Sequence, residues 1–355
     1  MKLDFIQTLF EAGEGPRIPH PEDAIFESAA AAARYVQGLK EVIANPGSIT
    51  IKWDGGIALV FGRNAEGQFY CADKYMPAKE VYPTSPEGWV EYDRNRGANR
   101  NDLYEKINLI WSGLEACVGP TPGSFKGDLM SVGVLKPVDG NFVFSPTTVE
   151  YRVPVKSALG NLIAGKVGIV AVHQHNGSPW DGKSGLGNNG NVAILSPTAG
   201  IKFKLSNPVN LVKTADSTLQ KYGAVVDKFL GGMDGVARVA IQKYFNHKIT
   251  QQTKEELVPW LVKSVSAKQY KILVGENQDG YLIQNQDGYQ ALRAIWNSIY
   301  ALKVNLAEQL EPQIQGFEQY TGGQKAGEGF VFNSKTAGLV KLVNRGQFGV
   351  AHFNK

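Results

Sequence analysis

Lys52 and Asp54 are the residues best placed by type and spacing to do chemistry. They stand two apart in SITIKWDGGIALVFGR, residues 48–63, with Gly55 and Gly56 directly behind them. In an extended strand residues i and i+2 share a face, so the amine and the carboxylate would project together. The glycines allow a tight turn and the close approach of a ligand. A half-buried lysine is more readily neutral than an exposed one, and the neutral amine is the nucleophilic form. The pattern suits a lysine nucleophile held between two strands. An edge-strand ion pair beside a turn would use the same residue types.

The elements that must position these residues can be read from periodicity. Residues 26–47 are alanine-rich, with Ala33, Val36, Leu39 and Val42 on one stripe, which predicts a helix ended by Asn45-Pro46-Gly47. SITIKW, GIALVFG and GQFYCADKY read as strands. A helix is expected over 100–119, then strands at SFKGDLMSV, FVFSPTTVEYRVPV and KVGIVAVHQH. From 206 to 322 the spacing turns helical, and GEGFVFN and GLVKLVN return to strand character. The expected fold class is α+β. A mainly antiparallel β body over 1–205 and 323–355 would be interrupted by a helical insertion at 206–322.

Gly177, Gly182, Lys183 and Ser184 match the phosphate-binding pattern G-x-x-x-x-G-K-[ST]. That mechanism needs a helix starting at the Gly-Lys-Ser end, and the following GLGNNGN is composed of poor helix formers. A polar loop is expected there instead. The chain has 355 residues, 43% hydrophobic and 20% charged, with a net charge of +4. It carries two cysteines, Cys71 and Cys117, and no zinc-type cluster among its five histidines. MKLDFIQTLFEAGEG lacks the core of a secretion signal, and no apolar run approaches the roughly 20 residues of a membrane span. These features lead to the expectation of a cytoplasmic protein, bacterial or in a virus-infected host cell, with no membrane partner.

The order of short motifs resembles the covalent nucleotidyltransferase superfamily of ATP-dependent DNA ligases, RNA ligases and mRNA capping enzymes. TIKWDGGIALVFG is similar to its strand, K-x-D-G, strand unit, in which the lysine becomes linked to a nucleotide. Lys74 in GQFYCADKY stands where that family has a phosphate-contacting basic residue. Gly127-Asp128 takes the place of a Gly-Glu that holds the ribose, and KVGIVAVHQ that of a strand beside the base. Glu328-Gly329 and Lys341 are similar to the family's last two elements. The chain departs from the pattern at Ile57, Asp128 and Leu339, and no sequence for an OB-fold follows Arg345. An RNA ligase with helical accessory regions is therefore nearer than a DNA ligase or capping enzyme.

The resemblance implies an adenylation body with an ATP-grasp-like arrangement of strands, and ATP with Mg²⁺ as cofactors. Lys52, Asp54 and Lys341 would be catalytic. Thr50, Ile51, Gly55, Asp128 and Glu328 would bind nucleotide, and Glu328 would also hold the metal. Lys74 would contact nucleic-acid phosphate. The basic stretch YDRNRGANR adds Arg94, Arg96 and Arg100 as further phosphate contacts. The implied partner is RNA or a nicked duplex, with a protein partner open to the helical segment. Two other readings stay open. One passes the adenylyl group to a protein or small molecule. The other is a non-catalytic nucleic-acid-binding or structural protein on a decayed body.

Overall fold

The computed structural model describes residues 20–250, 256–277 and 279–347. The segment inspected for a secretion signal lies outside these residues. The main elements are α1 (Ala29–Ala44), β1 (Ile49–Ile51), β2 (Ile57–Arg63), β3 (Phe69–Asp73), α2 (Pro86–Asn95), α3 (Asn101–Cys117), β4 (Gly123–Val132), β5 (Asn141–Phe144), β6 (Val149–Pro154), α4 (Ala158–Ile163), β7 (Gly168–His175), β8 (Ser178–Pro179) and β9 (Val192–Leu195). They continue with α5 (Val209–Gly231), α6 (Gly235–Thr250), α7 (Leu257–Ser264), α8 (Ala267–Leu273), α9 (Tyr281–Gln284), α10 (Gln286–Leu310), β10 (Glu318–Thr321), β11 (Phe330–Ser334) and β12 (Gly338–Leu342). The fold class is α+β; the pairs β2–β3, β2–β4, β4–β7, β7–β8, β5–β6, β6–β10 and β11–β12 are antiparallel, and β7–β9 is parallel. Among the described residues no helix is long and apolar enough to cross a membrane.

Two compact units divide the described chain, one from 51–201 and 314–321, the other from 20–50, 202–313 and 322–347. This grouping differs from the expected body and insertion. The helices from 209 onward group with α1, β11 and β12, and the body is drawn from the central residues. The segment expected to be helical up to 322 ends its last helix at Leu310, and Glu318–Thr321 is a strand paired with β6.

In the first unit the larger sheet runs β3-β2-β4-β7-β8, with β9 parallel to β7. Strand alternation sends Leu59, Phe61, Phe125, Leu129, Val170 and Val172 to one face, where Trp89 of α2 and Leu103, Ile107, Ile110 and Leu114 of α3 cover them. This is the unit's main apolar core. Helix α2 escapes a periodicity reading because Trp89 is its one fully buried apolar anchor. Its start is nevertheless well made: Ser85 caps the N-terminus by accepting from Gly88 N at 3.3 Å, with Pro86 following. Strands β5, β6 and β10 form a smaller antiparallel group.

In the second unit, Ser28 caps α1 by accepting from Ala31 N at 3.0 Å, and α5 packs against both α1 and α10. A three-stranded sheet has the order β1-β11-β12. Its hairpin is held by Glu41 of α1, whose Oε2 accepts from Ser334 Oγ at 2.7 Å and Lys335 N at 2.8 Å. Hydrogen bonds from Thr336 and Ser334 hold the Glu41 carboxyl below its ordinary value. Glu41 acts as a tether for the loop between the Glu328 and Lys341 motifs.

Candidate active site

The turn from Lys52 to Gly56 is fixed at every residue after the lysine. Trp53 is buried, its indole N–H donates to Ser196 O at 3.2 Å, and its ring stacks on Phe317 at 4.8 Å. The Asp54 amide donates to the Tyr151 hydroxyl at 2.8 Å, and the Asp54 carboxylate accepts from Thr147 Oγ1. The Gly56 amide donates to Leu129 O at 2.9 Å. Just before the lysine, the Ile51 amide donates to Pro197 O at 2.6 Å. Lys52 itself is half-buried. Backbone and side chains around the amine are thus held before any ligand arrives, the condition for precise placement of a nucleophile.

Gly55 lies against β4. A Cβ built on it would fall 2.1 Å from the Asp128 Cβ, so this position admits no side chain without displacing the acid. Asp128 projects from the sheet face opposite the apolar core, beside Lys126 two residues earlier on the same strand. Nε2 of His173 lies 2.9 Å from Asp128 Oδ2, the geometry of a ring N–H donating to a carboxylate. Burial pushes the Lys126 ammonium below its ordinary value, with Asp128 opposing and Lys74 adding to the shift. Lys74 follows β3 directly, is exposed, and sits 4.9 Å from the Tyr75 ring centroid. This sheet face therefore carries Lys126, a carboxylate and an imidazole, with Lys74 close enough to act on the Lys126 charge.

The three arginines have different surroundings. Arg100 pairs with Asp93 at 2.6 Å and with Asp73 at 2.8 Å, and Arg96 pairs with Asp93 at 2.7 Å. Burial pushes the Asp93 carboxyl up, but hydrogen bonds from Arg100, Arg96 and Tyr104 outweigh it and hold it below its ordinary value. The charge of Arg100 is thereby matched inside the fold, which makes it a tie between α2 and β3. Arg94 is exposed.

The remaining candidates lie in the second unit. Thr50 Oγ1 donates to Val331 O at 3.0 Å, which ties β1 to β11. Lys341 of β12 stands opposite Val331 in the register and is half-buried. Glu328 precedes Gly329, whose φ is +106°; a Cβ there would meet Leu342 O at 2.5 Å. Only glycine fits that bend, which fixes the backbone beside the acid. The structure thus gathers Lys52, Asp54, Gly55 and Asp128 in one unit, and Thr50, Glu328 and Lys341 in the other.

The sequence as a whole matches one family profile, over residues 17–355. The chain belongs to DUF6267, a family of unknown function. No curated protein and no solved structure matches it. For this DUF6267 chain the reading of the site rests on its own residues.

Several of those residues were missed in the sequence. Lys126 could have been found, because it lies two before Asp128 in a strand and shares its face. His173 carries a weaker signal, a polar residue at the end of an apolar run. Thr147 and Tyr151 carry none, since their role depends on β6 lying beside the Lys52 turn. The phosphate-loop pattern at 177–184 has no helix starting at Lys183; Asp181 instead accepts from the amides of Lys183 and Ser184 at 2.8 and 3.0 Å. Among the described residues no three or more His, Cys, Asp or Glu side chains gather as a metal cluster. Glu328 brings a single carboxylate. That suits Mg²⁺, which takes one or two carboxylates and completes its shell with water and phosphate oxygens.

Proposed function

We propose that this chain is an ATP-dependent nucleotidyltransferase that works through a lysyl-AMP on Lys52 and passes the adenylyl group to a polynucleotide end, RNA in preference to DNA. The observation that carries the reading is the clamped turn: Lys52 directly follows β1, the residues after it are held through Trp53, Asp54 and Gly56, and Gly55 is seated on Asp128. In the proposed step the neutral Lys52 amine attacks the α-phosphorus, the bond from that phosphorus to the oxygen bridging to the β-phosphate breaks, pyrophosphate leaves with the electron pair, and the nitrogen gives up one proton to solvent water. Such transfer is mostly positioning and charge neutralisation. Asp128, oriented by His173, would accept from a ribose hydroxyl. Lys341 would steady the α-phosphate, and Glu328 would hold Mg²⁺. The metal, when bound, offsets triphosphate charge.

The test is incubation with α-³²P-labelled ATP and Mg²⁺, followed by denaturing electrophoresis. Wild type is expected to carry label in a bond stable to alkali and lost in acid, as a phosphoramidate is. Lys52→Ala and Lys52→Arg are both expected to lose it, because guanidinium stays charged and is no nucleophile. A wild type that takes no label from ATP or GTP, yet binds nucleic acid with strong salt dependence, would leave the binding-protein reading in its place.

A further inference from the structure

In the second unit, helices α6 and α10 turn aromatic stripes toward a shared cavity of about 130 Å³. Tyr244, Phe245 and Lys248 line it from α6; Tyr289, Arg293 and Trp296 line it from α10. Each set falls at helical spacing, so each occupies one face of its helix. Phe245 lies 5.2 Å from Trp296 and 6.1 Å from Tyr289, ring centre to ring centre. Aromatic residues at such spacing usually fill a core. Here they leave a space between them, with two cationic side chains among its walls.

The dimensions and charges limit what could enter. A cavity of roughly 150 Å³ accepts one benzene-sized ring, so this one accepts a single ring and is small for a fused pair. Lys248 Nζ lies 3.5 Å from the exposed Glu256 carboxylate and 3.3 Å from the Tyr244 hydroxyl. Arg293 is exposed, and among the described residues no carboxylate forms an ion pair with it. An aromatic slot with a cationic edge matches a flat ring carrying an anionic tail. Unpaired bases are held in this way, by stacking on aromatic rings with the phosphate met by Arg or Lys.

We propose that the α6–α10 cavity binds one unpaired pyrimidine of a single-stranded polynucleotide, with the base seated in the space that Phe245, Tyr289 and Trp296 line and its phosphate on Arg293. The proposal rests on the nucleic-acid reading above and names the part of that substrate the helical unit holds. It also predicts a base preference that the adenylation chemistry does not require.

The full chain can be titrated with octauridylate while tryptophan emission is followed, using octaadenylate and inorganic polyphosphate as competitors. Octauridylate is expected to quench emission and to outcompete both. Arg293→Ala and Tyr289→Ala are expected to weaken binding about tenfold, the range found for a lost stacking or phosphate contact. Tyr289→Phe should restore binding, since the ring and not the hydroxyl is required. Circular dichroism establishes that each variant is folded; if Tyr289→Ala fails to fold, the surface variant Arg293→Ala carries the test. The proposal is overturned if wild type does not bind octauridylate, if polyphosphate competes equally well, or if the folded variants bind like wild type. The two variants are expected to keep Lys52 labelling by ATP. Labelling with unchanged binding would overturn the cavity alone, and binding without labelling would overturn the adenylation reading alone.

Discussion

On the sheet face of the first unit Lys126, Asp128 and His173 are half-exposed, whereas Glu22 and Lys303 of the second unit are wholly buried. Glu22 accepts from Lys303 Nζ and pairs with Arg345 at 2.7 Å, and Arg345 also pairs with Asp23 at 2.8 Å. Burial pushes the Glu22 carboxyl up, but the two cations beside it outweigh that and hold it below its ordinary value. Burial also pushes Lys303 down to about 8. Charges buried against opposite charges hold a fold together. Charges left half-open, with oxygen or nitrogen toward solvent, are the ones able to meet a ligand. The Asp93–Arg100 network shows the first behaviour inside the unit that carries the second.

The most disruptive way to test this contrast is Glu22→Ala. It strands Lys303 in the interior and leaves Arg345 with Asp23 alone as its ion-pair partner, and a loss of about 3–5 kcal/mol in unfolding free energy is expected by denaturant titration. If Glu22→Ala costs no more than a surface substitution, the buried network is not structural and the contrast fails. Gly55→Ala comes next. A new Cβ 2.1 Å from the Asp128 Cβ forces the turn or the strand to move, with about 1–3 kcal/mol lost and labelling of Lys52 reduced far more than stability. Equal labelling in Gly55→Ala would show that the seating of the turn on Asp128 does not matter to the chemistry.

Asp93→Asn addresses the pH axis. A carboxyl held below its ordinary value contributes stability that is fully present above its unfolded pKa, near 3.9, and is lost as pH falls through the lower folded value. Wild type should therefore lose stability on acidification through that window, and Asp93→Asn should show a flatter acid limb in unfolding titrations from pH 6 to pH 2. An unchanged slope would assign the acid sensitivity to other carboxylates. The smallest effect is expected for Arg94→Ala, within about 0.5 kcal/mol of wild type, because the residue is exposed. Arg100→Ala, which takes an ion-pair partner from both Asp93 and Asp73, should cost clearly more. Equal costs would erase the distinction between the two arginines.

GIALVFG, the alanine-rich run of α1 and the long stripe of α10 were legible as a strand and helices because local periodicity and burial agree there, whereas in SITIKW the strand stops at Ile51 and Lys52 and Asp54 lie in the turn beyond it instead of on one strand face. β10 and β9 were not, since four residues carry too little pattern, and the grouping of α1, β11 and β12 with the later helices has no local signature at all. For the candidate site, type and spacing marked Lys52, Asp54 and Gly55, because a two-residue separation and a glycine turn are properties of the chain itself. That Gly55 rests on Asp128, that Asp128 meets His173, and that Tyr151 and Thr147 hold Asp54 were decided only by tertiary structure. These partners lie 45 to 97 positions apart, so sheet pairing and packing, rather than any local preference, bring them within bonding distance. The same reason separates the arginines of one short basic stretch: the sequence gives them equal charge, and only the fold puts two carboxylates beside Arg100.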